Sequence, residues 1–168
     1  MFSDLVDQGR FAYHANMTRR YPTKEAVRIT KTSRWRLEAW VRDGVVAVPR
    51  ARPLLWGDDE LLAAALVAAF TDAGAPLEAV RGLQALIREA GSAEELRAAR
   101  LVVVLRRGAD VEAAGLGEIP YQQAQLVRSD AALEELARSA IQTLVVVDAG
   151  KILDALEEAR GQEAADVA

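Results

Sequence analysis

A chain of 168 residues with 51% hydrophobic content is long enough for one ordinary domain or two small ones, and only 5% aromatic content favours packed helices over a β-sandwich. With no cysteine and a single histidine, His14, it excludes disulfides, thiolate metal sites, iron–sulfur clusters and cysteine nucleophiles, and it lacks the partners for a histidine-based metal site. The net charge of −4 hides a division, because residues 18–52 hold ten basic and three acidic groups, a balance of +7, while the remainder stands at −11.

Met1–Arg20 has no sustained period and no basic region followed by an apolar one, and no apolar run approaches the roughly 20 residues that span a bilayer; a cytoplasmic protein is expected. Residues 1–20 are read as an extension. From Thr23, a plausible cap, a short helix carries Ala26, Val27 and Ile29 on one face and breaks at Thr30-Lys31-Thr32. Ser33 caps a second helix to about Arg42, with Leu37, Trp40 and Val41 turned to the first, and Asp43-Gly44 ends it. Val45–Val48 and Leu54–Trp56 read as two short strands around the stiff loop Pro49–Pro53, which has the look of a wing. A helix capped by Gly57 or Asp58 runs through Phe70 to a stop at Gly74. Pro76 then opens another helix, which ends at Gly91.

Tyr21, Thr23, Glu25-Ala26, Ser33, Leu37, Trp40, Gly44, Pro49-Arg50, Trp56, Asp59-Glu60-Leu61, Gly74, Leu77 and Val80 together resemble the MerR family, over about 70 residues. The resemblance implies a winged helix-turn-helix domain over 21–91, its second helix in the major groove and its wing on the DNA backbone, acting as a dimer on two half-sites. Three departures from the family pattern stand out. Lys31 stands where glycine is usual, which suits lysine only if its backbone is not forced to positive φ. Glu38 replaces an arginine and would repel phosphate, and Pro53-Leu54 replaces an aromatic–arginine pair.

Ser92-Ala93-Glu94-Glu95 is a capping-box pattern for a helix to about Arg100, too short for the coiled coil typical of MerR-family dimers. Leu101–Leu105 reads as a strand and Arg106–Asp110 as a turn to a return strand at Val111–Ala113. A loop follows over Gly115–Gln123. Asp130 caps a helix with Leu133, Leu136, Ala137 and Ile141, Leu144–Val147 is a strand, and Ile152, Leu153 and Leu156 belong to a last helix. The expected fold is mainly α with a small α/β part: the winged head, two further helices, an α/β body over 92–160 and a fraying tail over 161–168. This order of elements also bears a weaker resemblance to VapB-type antitoxins with a MerR-like head.

Gly115-Leu116-Gly117 begins like a dinucleotide loop, but Pro120 replaces the third glycine, and no phosphate-binding loop, GxSxG elbow or HExxH helix occurs. The adjacent glutamates at 94–95, 134–135 and 157–158 point about 100° apart on helices and read as solvated faces. No enzymatic activity, cofactor or metal is expected. The candidate DNA contacts are Lys24, Arg28, Arg50 and Arg52 at phosphates, Arg34 and Arg36 at base edges, and Ser33 and Trp35 at the start of the second helix. Trp40 and Trp56 fall at packing positions, while Trp35 is open to either packing or contact with sugar or a thymine methyl. Two functions follow: a sequence-specific regulator that binds double-stranded DNA as a homodimer, or an antitoxin-type module whose acidic body binds a protein such as a toxin.

Overall fold

The computed structural model describes residues 19–49, 53–106, 121–138 and 143–166, and these are mainly helical with two small antiparallel sheets. Among the described residues no helix is long and apolar enough to cross a membrane. The first helix, α1 (Thr23–Thr30), buries Ala26 and Ile29. Its start differs from expectation: Pro22 occupies the cap position, and the Thr23 hydroxyl instead accepts a hydrogen bond from the Trp56 indole at 3.3 Å. Its end differs as well. Lys31 adopts φ 52°, the positive φ at which lysine is less suited than the glycine usual in the family pattern, and is the one non-glycine residue described with positive φ. Such a residue costs about 1 kcal/mol relative to the right-handed form. Close by, Thr30 and Thr32 donate to the carbonyls of Ala26 and Thr30, at 2.7 and 3.2 Å.

Helix α2 (Arg34–Arg42) begins as its sequence requires, the Ser33 hydroxyl accepting from the Arg36 amide at 3.4 Å, and it buries Leu37, Ala39 and Trp40. The strands that follow are rearranged. Val45, Val46 and Val48 are buried but form no strand, because the Gln84 side-chain amide takes the place of a neighbouring strand: the Ala47 amide donates to it at 2.6 Å and the Ala47 carbonyl accepts from it at 3.1 Å. Leu55–Trp56 (β2) pairs instead with Tyr21–Pro22 (β1), Tyr21 opposite Trp56. The loop tip with Arg50 and Arg52 lies outside the described residues.

Helix α3 (Asp58–Asp72) is the centre of the fold, with Leu61 through Val67 and Phe70 buried, so it is apolar around most of its circumference, as a core helix must be. Glu60 accepts from the Gly57 amide at 2.8 Å and closes its first turn. The single helix expected from Pro76 to Gly91 is divided into a 3₁₀ turn, Leu77–Val80, and α4 (Leu83–Ala90). Arg81, at the break, donates to the Asp43 carbonyl at 2.7 Å and so pins the turn to the end of α2. Ser92 caps α5 (Ala93–Ala98) as expected, accepting from the Glu95 amide at 3.1 Å.

Strand β3 (Arg100–Leu105) is the middle of a sheet in which β4 (Gln125–Val127) and β5 (Thr143–Asp148) are both antiparallel to it. The return strand expected at 111–113 and most of the 115–123 loop lie outside the described residues. Ser129 rather than Asp130 caps α6 (Asp130–Arg138), accepting from the Ala132 amide at 3.2 Å. The last helix, α7 (Ala149–Asp166), packs on α1, α3 and α5. Leu101, Val103, Val145, Val147, Leu153 and Leu156 belong to the same core as Tyr21, Leu37, Trp56 and Phe70. The boundary expected at 91–92 therefore does not divide two cores, and the tail expected to fray from 161 is helical to Asp166, with Glu163 buried.

Two glycines in α7 give a test with opposite signs. A Cβ on Gly150 would stand 2.9 Å from the Cα of Arg97 and 3.1 Å from its carbonyl oxygen, whereas one on Gly161 meets nothing within 4 Å. Gly150→Ala should lower stability to urea by about 1–3 kcal/mol through overpacking, and Gly161→Ala should raise it by up to about 1 kcal/mol through helix propensity. Equal effects would contradict the close packing of α7 on α5.

Candidate nucleic-acid interface

The basic segment folds onto two helices. On α1, Lys24 and Arg28 stand four residues apart on the side away from buried Ala26 and Ile29, and exposed Lys31 follows just beyond the end of the helix. On α2, Arg34, Trp35, Glu38 and Arg42 face outward because Leu37, Ala39 and Trp40 face in. Trp35 is 73% exposed and, with Val146, is one of two large apolar side chains so exposed among the described residues. The choice left open for Trp35 is thereby decided against packing, whereas Trp40 and Trp56 are core residues as expected.

Most of the arginines are already engaged. The Nε of Arg34 donates to Glu38 at 2.6 Å, so Glu38 stands one turn along the same exposed face as the arginine it holds. Arg42 is bound to Asp43 at 2.8 Å, and this hydrogen bond is the main reason the Asp43 carboxyl lies below its ordinary pKa. Arg36 is turned toward α3: its guanidinium lies 4.9 Å from the Trp40 ring centroid, donates to the Thr71 hydroxyl at 2.6 Å and meets the Asp72 carboxylate at 2.8 Å. Arg28 pairs with Glu163 of α7. Lys24 and Lys31 form no ion pair among the described residues. Of the eight residues singled out in the sequence, Ser33, Arg34 and Trp35 share the start of α2, Lys24 and Arg28 share a stripe on α1, Arg36 points inward, and Arg50 and Arg52 are not described.

The carboxylates opposite these arginines escaped sequence reasoning, since Asp72 and Glu163 come from distant helices and carry no local signal. Lys31, read as a turn residue, is one, and it is exposed at the end of α1. Elsewhere, Arg160 of α7 donates to the Tyr21 hydroxyl at 3.1 Å and to Asp58 at 3.2 Å. Burial raises the Asp58 pKa, against the lowering influence of Arg160. No group of three or more acidic or histidine side chains suited to a metal occurs among the described residues. No protein-family model matches the chain, and no curated protein matches it.

Because Arg36 links α2 to α3 rather than facing solvent, Arg36→Ala should lower stability by about 1–2 kcal/mol, through the lost ring contact and hydrogen bonds. Thermal melting checks this, and an unchanged midpoint would return Arg36 to the outward face. Asp58 binds its proton more tightly folded than unfolded, so its stabilising contribution is present below the unfolded pKa of about 3.9 and is lost as pH rises through the raised folded value. The stability of Asp58→Asn relative to the parent should accordingly rise with pH across that window. Urea titrations at several pH values test the sign, and a difference that falls with pH would contradict it.

Proposed function

We propose that this chain is a sequence-specific, double-stranded-DNA-binding transcription regulator with a MerR-like winged helix-turn-helix head. In this reading α2 enters the major groove, the loop that carries Arg50 and Arg52 lies on the backbone, and two copies engage two half-sites. The observation that carries it is Trp35. A tryptophan left 73% exposed in the first turn of α2, beside Ser33 and Arg34, offers a large apolar face where the proposed recognition helix would meet base edges. Lys24 and Lys31 supply phosphate contacts without first giving up an intramolecular partner.

The internal ion pairs favour a second reading, an antitoxin-type or other protein-binding module. An exposed tryptophan among satisfied arginines is also the composition of a protein hot spot. The two readings separate on duplex binding. With roughly two to four phosphates neutralised per protomer, log K should fall against log salt with a slope of about −2 to −4. Trp35→Ala should weaken binding to a duplex selected from a randomised pool about tenfold without changing thermal stability. Anisotropy and melting measure both. Failure to bind any duplex at low salt favours the protein partner and ends the regulator reading.

A further inference from the structure

We infer that the C-terminal helix α7 is an intramolecular competitor for DNA, with the Glu163 carboxylate occupying Arg28 as a phosphate would. The inference rests on the DNA-binding reading and adds its regulation. Arg28 and Glu163 lie at opposite ends of the chain, yet they meet because α7 packs along α1. The partners are unequal in exposure: the Arg28 side chain is 52% exposed, while that of Glu163 is 7% exposed. The arginine is thus presented to solvent one turn from Lys24, and the carboxylate reaches it from within the packed helix.

This asymmetry couples the two events. A phosphate that takes Arg28 leaves Glu163 buried without its counter-charge, which is costly unless the carboxylate gains water or the end of α7 moves away. Helix α7 also bears five carboxylates against two cations, so its approach to a polyanion is itself unfavourable. Its other charged contacts hold it in place elsewhere: Asp154 and Glu157 bind Arg97, each at 2.8 Å, and Arg160 binds Tyr21 and Asp58. The last turns, which carry Glu163, can therefore yield while Leu153 and Leu156 keep the helix docked.

The test uses the full chain, a fluorescein-labelled 20-base-pair duplex of mixed sequence and a double-mutant cycle. Glu163→Gln keeps the shape and removes the charge; it should tighten binding about three- to tenfold at low salt and steepen the salt slope by about 0.9, the value for one added phosphate. In an Arg28→Ala background the same change should have no effect. Glu158→Gln, an equal change of charge at an exposed position of α7, should act weakly in both backgrounds. A Glu163→Gln protein that binds as the parent does, or one that gains equally without Arg28, overturns the competitor role while leaving DNA binding intact. If neither parent nor variants bind the duplex, the regulator reading fails and this inference falls with it.

Discussion

The packing of α7 across α1, α3 and α5 is the contact on which the rest of the molecule depends. Two short helices such as α1 and α2 cannot bury their own apolar sides, since together they offer few large core residues. Helix α3 supplies one wall of the missing core. The far end of the chain supplies another, with Leu153 and Leu156 joining the cluster that contains Tyr21, Leu37 and Trp56. The close approach at Gly150 and the reach of Arg160 to Tyr21 and Asp58 fix where α7 lies. The sheet β4-β3-β5 then follows, because β5 runs directly into α7 and turns Val145 and Val147 toward the same interior.

That arrangement explains why a basic segment can sit on an acidic chain without forming an uninterrupted positive surface. The acidic residues are not confined to a remote body: Asp72 from α3 and Glu163 from α7 reach Arg36 and Arg28, while Glu38 and Asp43 serve Arg34 and Arg42 locally. The two local pairs, Arg34–Glu38 and Arg42–Asp43, lie at the surface, where such a pair contributes little to stability. Their larger effect is on what a polyanion meets. Among the described residues 24–42, the outward features left without a carboxylate are Lys24, Lys31 and Trp35, so binding through this part of the face would depend more on shape and apolar contact than the local charge of +7 implies.

Local chemistry was legible wherever it was self-contained. The Ser33 and Ser92 caps, the glycine stops at 44, 74 and 91, and the strands beginning near Leu101 and Leu144 all follow from signals within a few residues. Long-range substitution of partners was not. Val45–Val48 has the composition of a strand, but a single glutamine side chain from α4 satisfies its backbone, and β2 pairs with the segment before α1. Lys31 was judged by steric preference alone, yet the connection between α1 and α2 holds it in the left-handed region. The end of α7 looked like a polar tail because nothing in 161–168 announces that Glu163 has a cation waiting on α1. The outward stripe of Lys24 and Arg28 and the position of Trp35 were readable from helical spacing, whereas the inward turn of Arg36 required Trp40, Thr71 and Asp72 in place.

One continuous core, clasped by α7, implies that the N-terminal helices do not unfold apart from the C-terminal sheet. All three tryptophans lie between residues 35 and 56, so their fluorescence reports on the N-terminal part of the chain and its side of the core, while far-ultraviolet circular dichroism reports on every helix. The most direct measurement is urea unfolding of the full chain followed by both signals. Coincident midpoints and slopes are expected for a single cooperative unit. A tryptophan transition separated from the dichroism transition would contradict the shared core and restore two independent domains.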